Sequence, residues 1–224
     1  EHFRSFGLRN PIAVVPNGVE IPAKSRTECT FGGRRRLLFL SRIHPKKGLP
    51  YLLRAWGQVE AHAPDWDLVI AGPDEVNHTA EMTALARQLG LSRVTWHPPV
   101  HGEEKSDLYR SADLFVLPTH AENFGLVVAE ALAHGVPVVT TRNAPWSGLH
   151  DHRCGWWIDL DDRALHAALA EATGMPSAAL RAMGDRGRAW MEREFGWDGI
   201  AEKMLSVYGR ISRGEPLPAS LRYD

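Results

Sequence analysis

At 224 residues, 44% of them apolar and 24% charged, the chain is long enough for one large domain with a substantial core. Its net charge of −1 offers no global surface for a polyanion, so nucleic acid is not an expected partner. The two cysteines, Cys29 and Cys154, lie far apart without metal-ligand spacing, which points to free thiols in a reduced compartment, with a mutual pair as the alternative.

Taken in chain order, residues 12–15 form a short apolar run closed by the turn signal Pro16-Asn17-Gly18. Residues 22–35 are polar and read as a loop that contains Cys29. Strands are expected at 36–42, 66–71, 93–97, 113–117, 137–141 and 155–158. Between them the periodicity predicts helices at 47–62, 79–90, 103–112 and 125–134. The first of these places Leu52, Leu53, Trp56 and Val59 on one face, and the second stops at Gly90, a natural C-cap. Helices near 162–173, 177–194 and 197–212 follow, then an irregular Pro-containing tail from about 213. Repeated βα units with short connections predict a doubly wound parallel sheet, a Rossmann-like α/β fold. No apolar run reaches the length of a membrane span and no signal peptide is visible. The chain starts at Glu1 without a methionine and is read as an excerpt of a longer protein.

The stretch 121–138, AENFGLVVAEALAHGVPV, carries the most chemistry. Its order is loop, helix and strand, fed by the strand DLFVLP, so the loop and helix start lie at the carboxyl edge of a parallel sheet. Gly125 lets a ligand approach the backbone, and the first helical turn offers free N–H groups and the positive end of a dipole, which suit phosphate oxygens. Glu122 and Glu130, eight positions apart, would repel a phosphate unless they serve hydroxyl groups, and a carboxylate accepts well from a vicinal diol. A diphosphate flanked by diols is a nucleotide sugar.

The pattern E-N-F-G-L-x3-E-A-L-A-x-G-x-P-V resembles the E-x7-E motif of retaining glycosyltransferases with the GT-B fold, the large glycosyl transferases group 1 family. Further segments agree in order: VVPNGVE at 14–20, LLFLSRIHPKKGLPYLLRAW at 37–56, DLVIAGPDE at 67–75, VTWHPPV at 94–100, YRSADLFVLPT at 109–119 and CGWWID at 154–159. The resemblance covers almost the whole chain. It implies one half of a two-domain architecture: an interdomain segment at 1–20, a nucleotide-sugar-binding domain at 21–212 and a tail at 213–224. The acceptor domain would be missing, and helix 197–212 would cross back to it.

The resemblance also implies roles. Glu130 would bind ribose hydroxyls, and Glu122 would face the donor sugar and stabilise positive charge developing at its anomeric carbon. Asn123, Phe124, Gly125 and Leu126 would offer backbone N–H groups to sugar and phosphates, with Phe124 equally readable as core. Arg42 and Lys47 would neutralise the diphosphate leaving group without a metal, Lys46 offering a neighbouring register. Gly18 serves either a turn or a close approach to the donor. Residues 95–100 would touch the base, although Pro98 stands where the family has glycine and removes an N–H.

The implied reaction is transfer of a hexose from a nucleoside diphosphate sugar to a glycan or lipid-linked acceptor, with retention of configuration, in bacterial envelope polysaccharide synthesis. No metal or other cofactor is expected, and the fragment alone is expected to be inactive. A cytoplasmic location is implied, peripheral to the membrane face only through the missing domain. Three other signals carry blander readings. Asp159-Leu160-Asp161 spells D-x-D away from the phosphate corner; His150, Asp151, His152 and Cys154 are zinc-capable types in a loop; Trp146, Trp156 and Trp157 are read as packing. The alternatives are a catalytically silent nucleotide-binding or interaction domain of the same fold, or an unrelated doubly wound module such as a receiver domain. A phosphorylase would need a pyridoxal-phosphate lysine context, which the sequence does not show.

Overall fold

The computed structural model describes residues 2–23, 33–217 and 222–223. Cys29 and most of the expected loop at 22–35 lie outside the described residues.

After a short helix α1 (His2–Ser5) and a two-residue strand β1 (Ile12–Ala13), the chain enters the main sheet at β2 (Arg35–Leu40). There follow α2 (Leu49–Val59), β3 (Trp66–Ala71), α3 (His78–Gln88), β4 (Val94–His97), α4 (Gly102–Arg110), β5 (Leu114–Leu117), α5 (Leu126–Ala133), β6 (Val138–Thr141), α6 (Gly148–Asp151) and β7 (Gly155–Ile158). Helices α7 (Asp162–Gly174), α8 (Ser177–Glu194) and α9 (Trp197–Ser212) complete the domain. A last strand β8 (Arg222–Tyr223) pairs antiparallel with β1, where an irregular tail is expected from sequence.

The six-stranded sheet runs β4-β3-β2-β5-β6-β7, and its neighbouring strands are parallel. The chain builds outward from β2 through β3 to β4, then returns to the centre at β5 and builds the other way. That reversal between β2 and β5 opens a crevice at their carboxyl ends, the place where doubly wound sheets hold ligands. Strand composition follows position. Central β5 and β6 are buried at every residue, whereas edge strand β7 is half-buried throughout. Strands covered on both faces by helices read as apolar runs, as β5 does throughout; β6 closes on Thr140 and Thr141, whose buried hydroxyls donate to the Leu117 and Thr119 carbonyls.

The helix expected at 47–62 is divided. Pro45–Lys47 winds as a separate 3-10 turn, Gly48 breaks to the left-handed region at φ 70°, and Glu60–His62 is again 3-10. Glycine is required at 48 for space as well as for φ, since a Cβ there would run into the carbonyl oxygen of Pro118. That contact brings the loop after β2 against the loop after β5. Helix α2 packs on α7 and α3, and α5 packs on α8.

Helix α9 has two unlike faces. Ile200 and Val207 are buried, while Leu205 (69% exposed), Tyr208 (60%) and Ile211 (62%) stand in solvent. Among the described residues, no helix is long and apolar enough to cross a membrane.

Candidate active site

Two loops meet at the crevice. The first leaves β2 as Ser41–Gly48, and its 3-10 turn is closed by His44, whose Nδ1 accepts from the Lys46 N–H at 3.1 Å. The second leaves β5 as Pro118–Gly125. They are stitched by the Lys46 carbonyl, which accepts from the His120 N–H at 2.8 Å and from the Thr119 hydroxyl at 3.1 Å. Strand β6 and the turn after it support the second loop. The Thr141 hydroxyl donates to the Thr119 carbonyl at 2.6 Å, and the Glu122 N–H donates to the Asn143 carbonyl at 3.1 Å.

This scaffold presents Lys47 to Glu122. Their side chains form an ion pair and are only 10% and 12% exposed. A pair so withdrawn from water is fixed by both loops, because separating it would strand a poorly solvated charge.

Gly125 stands at φ 80° as the N-cap of α5, with no side-chain cap bond at that end. The backbone ahead of it is pinned by Trp146, whose indole N–H donates to the Phe124 carbonyl at 2.5 Å. Trp146 is 2% exposed and sits in an aromatic cluster with Phe124, Trp190 and Phe195 at centroid distances of 5.1, 5.6 and 5.5 Å. Phe124 is therefore core in its side chain, and its carbonyl is spent on Trp146. Asn123 is exposed, and Leu126 is 48% exposed at the mouth of α5.

Glu130 lies on the side of α5 that faces α4. Lys105 Nζ stands 2.6 Å from its Oε1, and the Tyr109 hydroxyl donates to its Oε2 at 2.9 Å. Burial, and then the neighbouring carboxylate, push the Tyr109 hydroxyl well above its usual pKa, so it remains a donor. Its ring stacks on His134 at 4.9 Å. Burial first, with the charges of Arg110 and Arg188 adding, holds the His134 imidazole below its ordinary range, and its Nδ1–H donates to the Glu130 carbonyl at 2.7 Å. Glu130, Lys105, Tyr109, His134 and Leu126 line a cavity of about 720 Å³ that Gly18 and Trp197 close from the other side. A Cβ on Gly18 would strike the Trp197 ring, so the glycine is needed for that close approach. Residues 95–100 do not line this cavity; α4 does.

Arg42 is not a member of the Lys47–Glu122 pair. Its guanidinium pairs with Glu75, beyond the end of β3, at 2.9 Å, and both side chains are about half exposed. The remaining sequence signals have structural work. Asp161 caps α7 by accepting from the Ala164 N–H at 2.7 Å, and Asp159 pairs with Arg142. His152 stacks on Trp190, and Cys154 is buried and free. Among the described residues, no group of three or more His, Cys, Asp or Glu is placed to hold a metal ion.

Lys105, Tyr109 and Trp146 are the site residues that sequence reasoning misses or leaves as packing. The spacing of Lys105 and Tyr109, one helical turn apart, was the available signal.

Against known proteins, the sequence model described as Glycosyl transferases group 1 matches residues 34–175. The D-inositol 3-phosphate glycosyltransferase of Arthrobacter sp. (strain FB24) is 35% identical over 209 residues, covering 88% of this chain and 49% of that protein. The chain thus spans about half the length of that curated relative. Among solved structures, sucrose-phosphate synthase from Thermosynechococcus elongatus superposes with a TM-score of 0.76 at 25% identity, over 90% of this chain and 53% of that one. The C-terminal domain of a glycosyl transferase group 1 family protein (LpcC) from Francisella tularensis has the same fold, with a TM-score of 0.68 at 20% identity, over 80% of this chain and 100% of that one. The chain belongs to the Glycosyl transferases group 1 family, as a domain of the GT-B fold.

Proposed function

We propose that the chain is the donor-binding half of a retaining glycosyltransferase that moves a hexose from a nucleoside diphosphate sugar to a hydroxyl of a glycan or lipid-linked acceptor. The observation that carries this reading is the meeting of Lys47 with Glu122 at the β2/β5 crevice, with Glu130 in the adjoining cavity. The diphosphate lies over the start of α5, where Gly125 admits it to free N–H groups. Glu130 accepts the ribose diol, and Gly18 shapes the same cavity. Glu122 faces the hexose. As the anomeric C–O bond breaks, its electron pair passes to the departing diphosphate. Lys47 and the α5 dipole stabilise that charge, and Glu122 balances the positive charge left on the sugar. Arg42 joins Lys47 only after exchanging Glu75 for a phosphate, a change its exposure permits.

The acceptor domain belongs to the remainder of the longer protein. Residues 1–20 are the interdomain segment, 21–212 the donor domain and 213–224 the tail. The exposed stripe of α9 is the surface that faces the missing half. A solved C-terminal domain whose whole length is matched by 80% of this chain supports a fold unit of this extent. Envelope polysaccharide synthesis at the cytoplasmic membrane face fits such an acceptor; the name of the Arthrobacter relative makes an inositol phosphate the competing one.

Calorimetric titration with UDP, GDP and ADP tests the donor reading. One of them is expected to bind, and Glu130→Ala to weaken it by about tenfold or more, as loss of a charge-assisted bond to each hydroxyl requires. Equal binding by the variant overturns the ribose role. Glycosyl transfer by residues 1–224 alone overturns the division into halves. A silent domain, the second reading, would bind nucleotide in the longer protein and still transfer nothing.

A further inference from the structure

We infer that Lys105 and Tyr109 are positioning residues that make Glu130 selective for an intact ribose diol, an inference that rests on the ribose reading of Glu130 above. An ionised carboxylate has about four lone-pair sites, two on each oxygen. Lys105 Nζ occupies one on Oε1 and the Tyr109 hydroxyl one on Oε2, at 2.6 and 2.9 Å. One site is left open on each oxygen. A vicinal diol has the matching demand, one hydroxyl donor for each oxygen, and the Glu130 side chain, 25% exposed in the cavity, is within reach of it.

The clamp is itself held. Lys105 and Tyr109 lie one turn apart on α4, so both reach the same face of α5. Tyr109 is buried, its ring is stacked on His134, and His134 is bonded to the Glu130 backbone. Helix, ring and carboxylate therefore share one frame. Without the two donors the carboxyl group turns about its last torsion, and a diol must order it at binding. A preorganised acceptor avoids that cost and rejects a sugar with missing hydroxyls more strongly. A single hydroxyl, or none, leaves an open lone pair facing the ligand without a donor.

The test titrates the chain with UDP, GDP and ADP, each beside its 2′,3′-dideoxy counterpart. The expected result is a preference of about tenfold for the ribose form of the nucleotide that binds. Lys105→Met and Tyr109→Phe should each reduce that preference to about twofold while leaving affinity for the dideoxy form unchanged. The dideoxy form guards against misfolding, since a loosened fold weakens both ligands alike; Lys105, partly exposed, is in any case a mild site to change. Retention of the full preference by both variants overturns the clamp and leaves the ribose reading standing. Equal loss for both nucleotide forms in Lys105→Met, with the urea unfolding midpoint kept at the wild-type value, places Lys105 on the diphosphate and also overturns the clamp. A wild-type chain without preference, or one that binds none of the three, overturns the ribose reading and the clamp with it.

Discussion

At the residue scale, the buried ion pair of Lys47 and Glu122 is the costliest feature of the crevice. Two charges only 10% and 12% exposed forgo most of their hydration, and their attraction does little more than restore it. Fold stability alone would be served as well by two apolar groups. Lys47→Met should therefore cost about 3 kcal/mol in urea unfolding, because Glu122 is left buried and unpaired. The double variant Lys47→Met with Glu122→Met should recover most of that loss. If each single change costs under about 0.5 kcal/mol, the crevice is wetter than its burial shows and the argument fails. Cys154 behaves differently. Burial pushes its thiol up to about 12, so at pH 8 it is neutral and shielded. Iodoacetamide should leave the Cys154 peptide unmodified in the native chain and label it after unfolding, as read by mass spectrometry.

At the element scale, Asp74 shows how one carboxylate starts a helix. It accepts from the N–H groups of Val76, His78 and Thr79 at 3.2, 2.9 and 3.0 Å, which holds its pKa at about 2 against an ordinary 3.8. The folded value is the depressed one, so the stabilisation is present above 3.8 and is lost as pH falls through about 2. The urea midpoint of Asp74→Ala should lie below that of the wild type at pH 7, and the gap should close between pH 3.8 and about 2. A gap that persists at the acid end would assign the effect to packing instead. The elements were largely legible because their signals are local. Apolar runs such as Leu114–Leu117 mark central strands, and the 3.6 period marks α8 and α9 from end to end. Elements of one turn or less, α1 and α6 among them, have too few residues to show a period. The 3-10 turn at Pro45–Lys47 escaped because its cause is remote: Gly48 has to clear Pro118, in the loop after β5, which is far off in sequence and adjacent in space. The site divides in the same way. Glu122 and Glu130 stand in one local pattern, whereas Lys105 and Tyr109 matter only once α4 is laid beside α5.

At the scale of the whole molecule, α9 connects a finished core to a surface that the domain leaves bare. Val207, 5% exposed, faces inward, whereas Leu205, two residues before it, and Tyr208, one after it, are 69% and 60% exposed and face out. A helix that carries apolar residues on its outer face exposes more oily surface than folding of this domain needs. The two faces therefore make opposite demands on mutation. Leu205→Glu with Tyr208→Glu should leave the unfolding free energy of the chain within about 0.5 kcal/mol of wild type, since nothing packed is lost. The same double change should raise solubility and lower binding of a hydrophobic dye, because the stripe is broken by charge. Val207→Glu should cost more than about 2 kcal/mol, because it drives an unpaired carboxylate into the contact between α9 and the core. If the outer pair proves as costly as Val207, the stripe is folded against this domain in solution and α9 is an internal helix rather than a face awaiting the other half of the protein. If the outer pair is free, the fold of the chain is complete without those side chains, and their apolar character answers to an interface the domain does not itself contain.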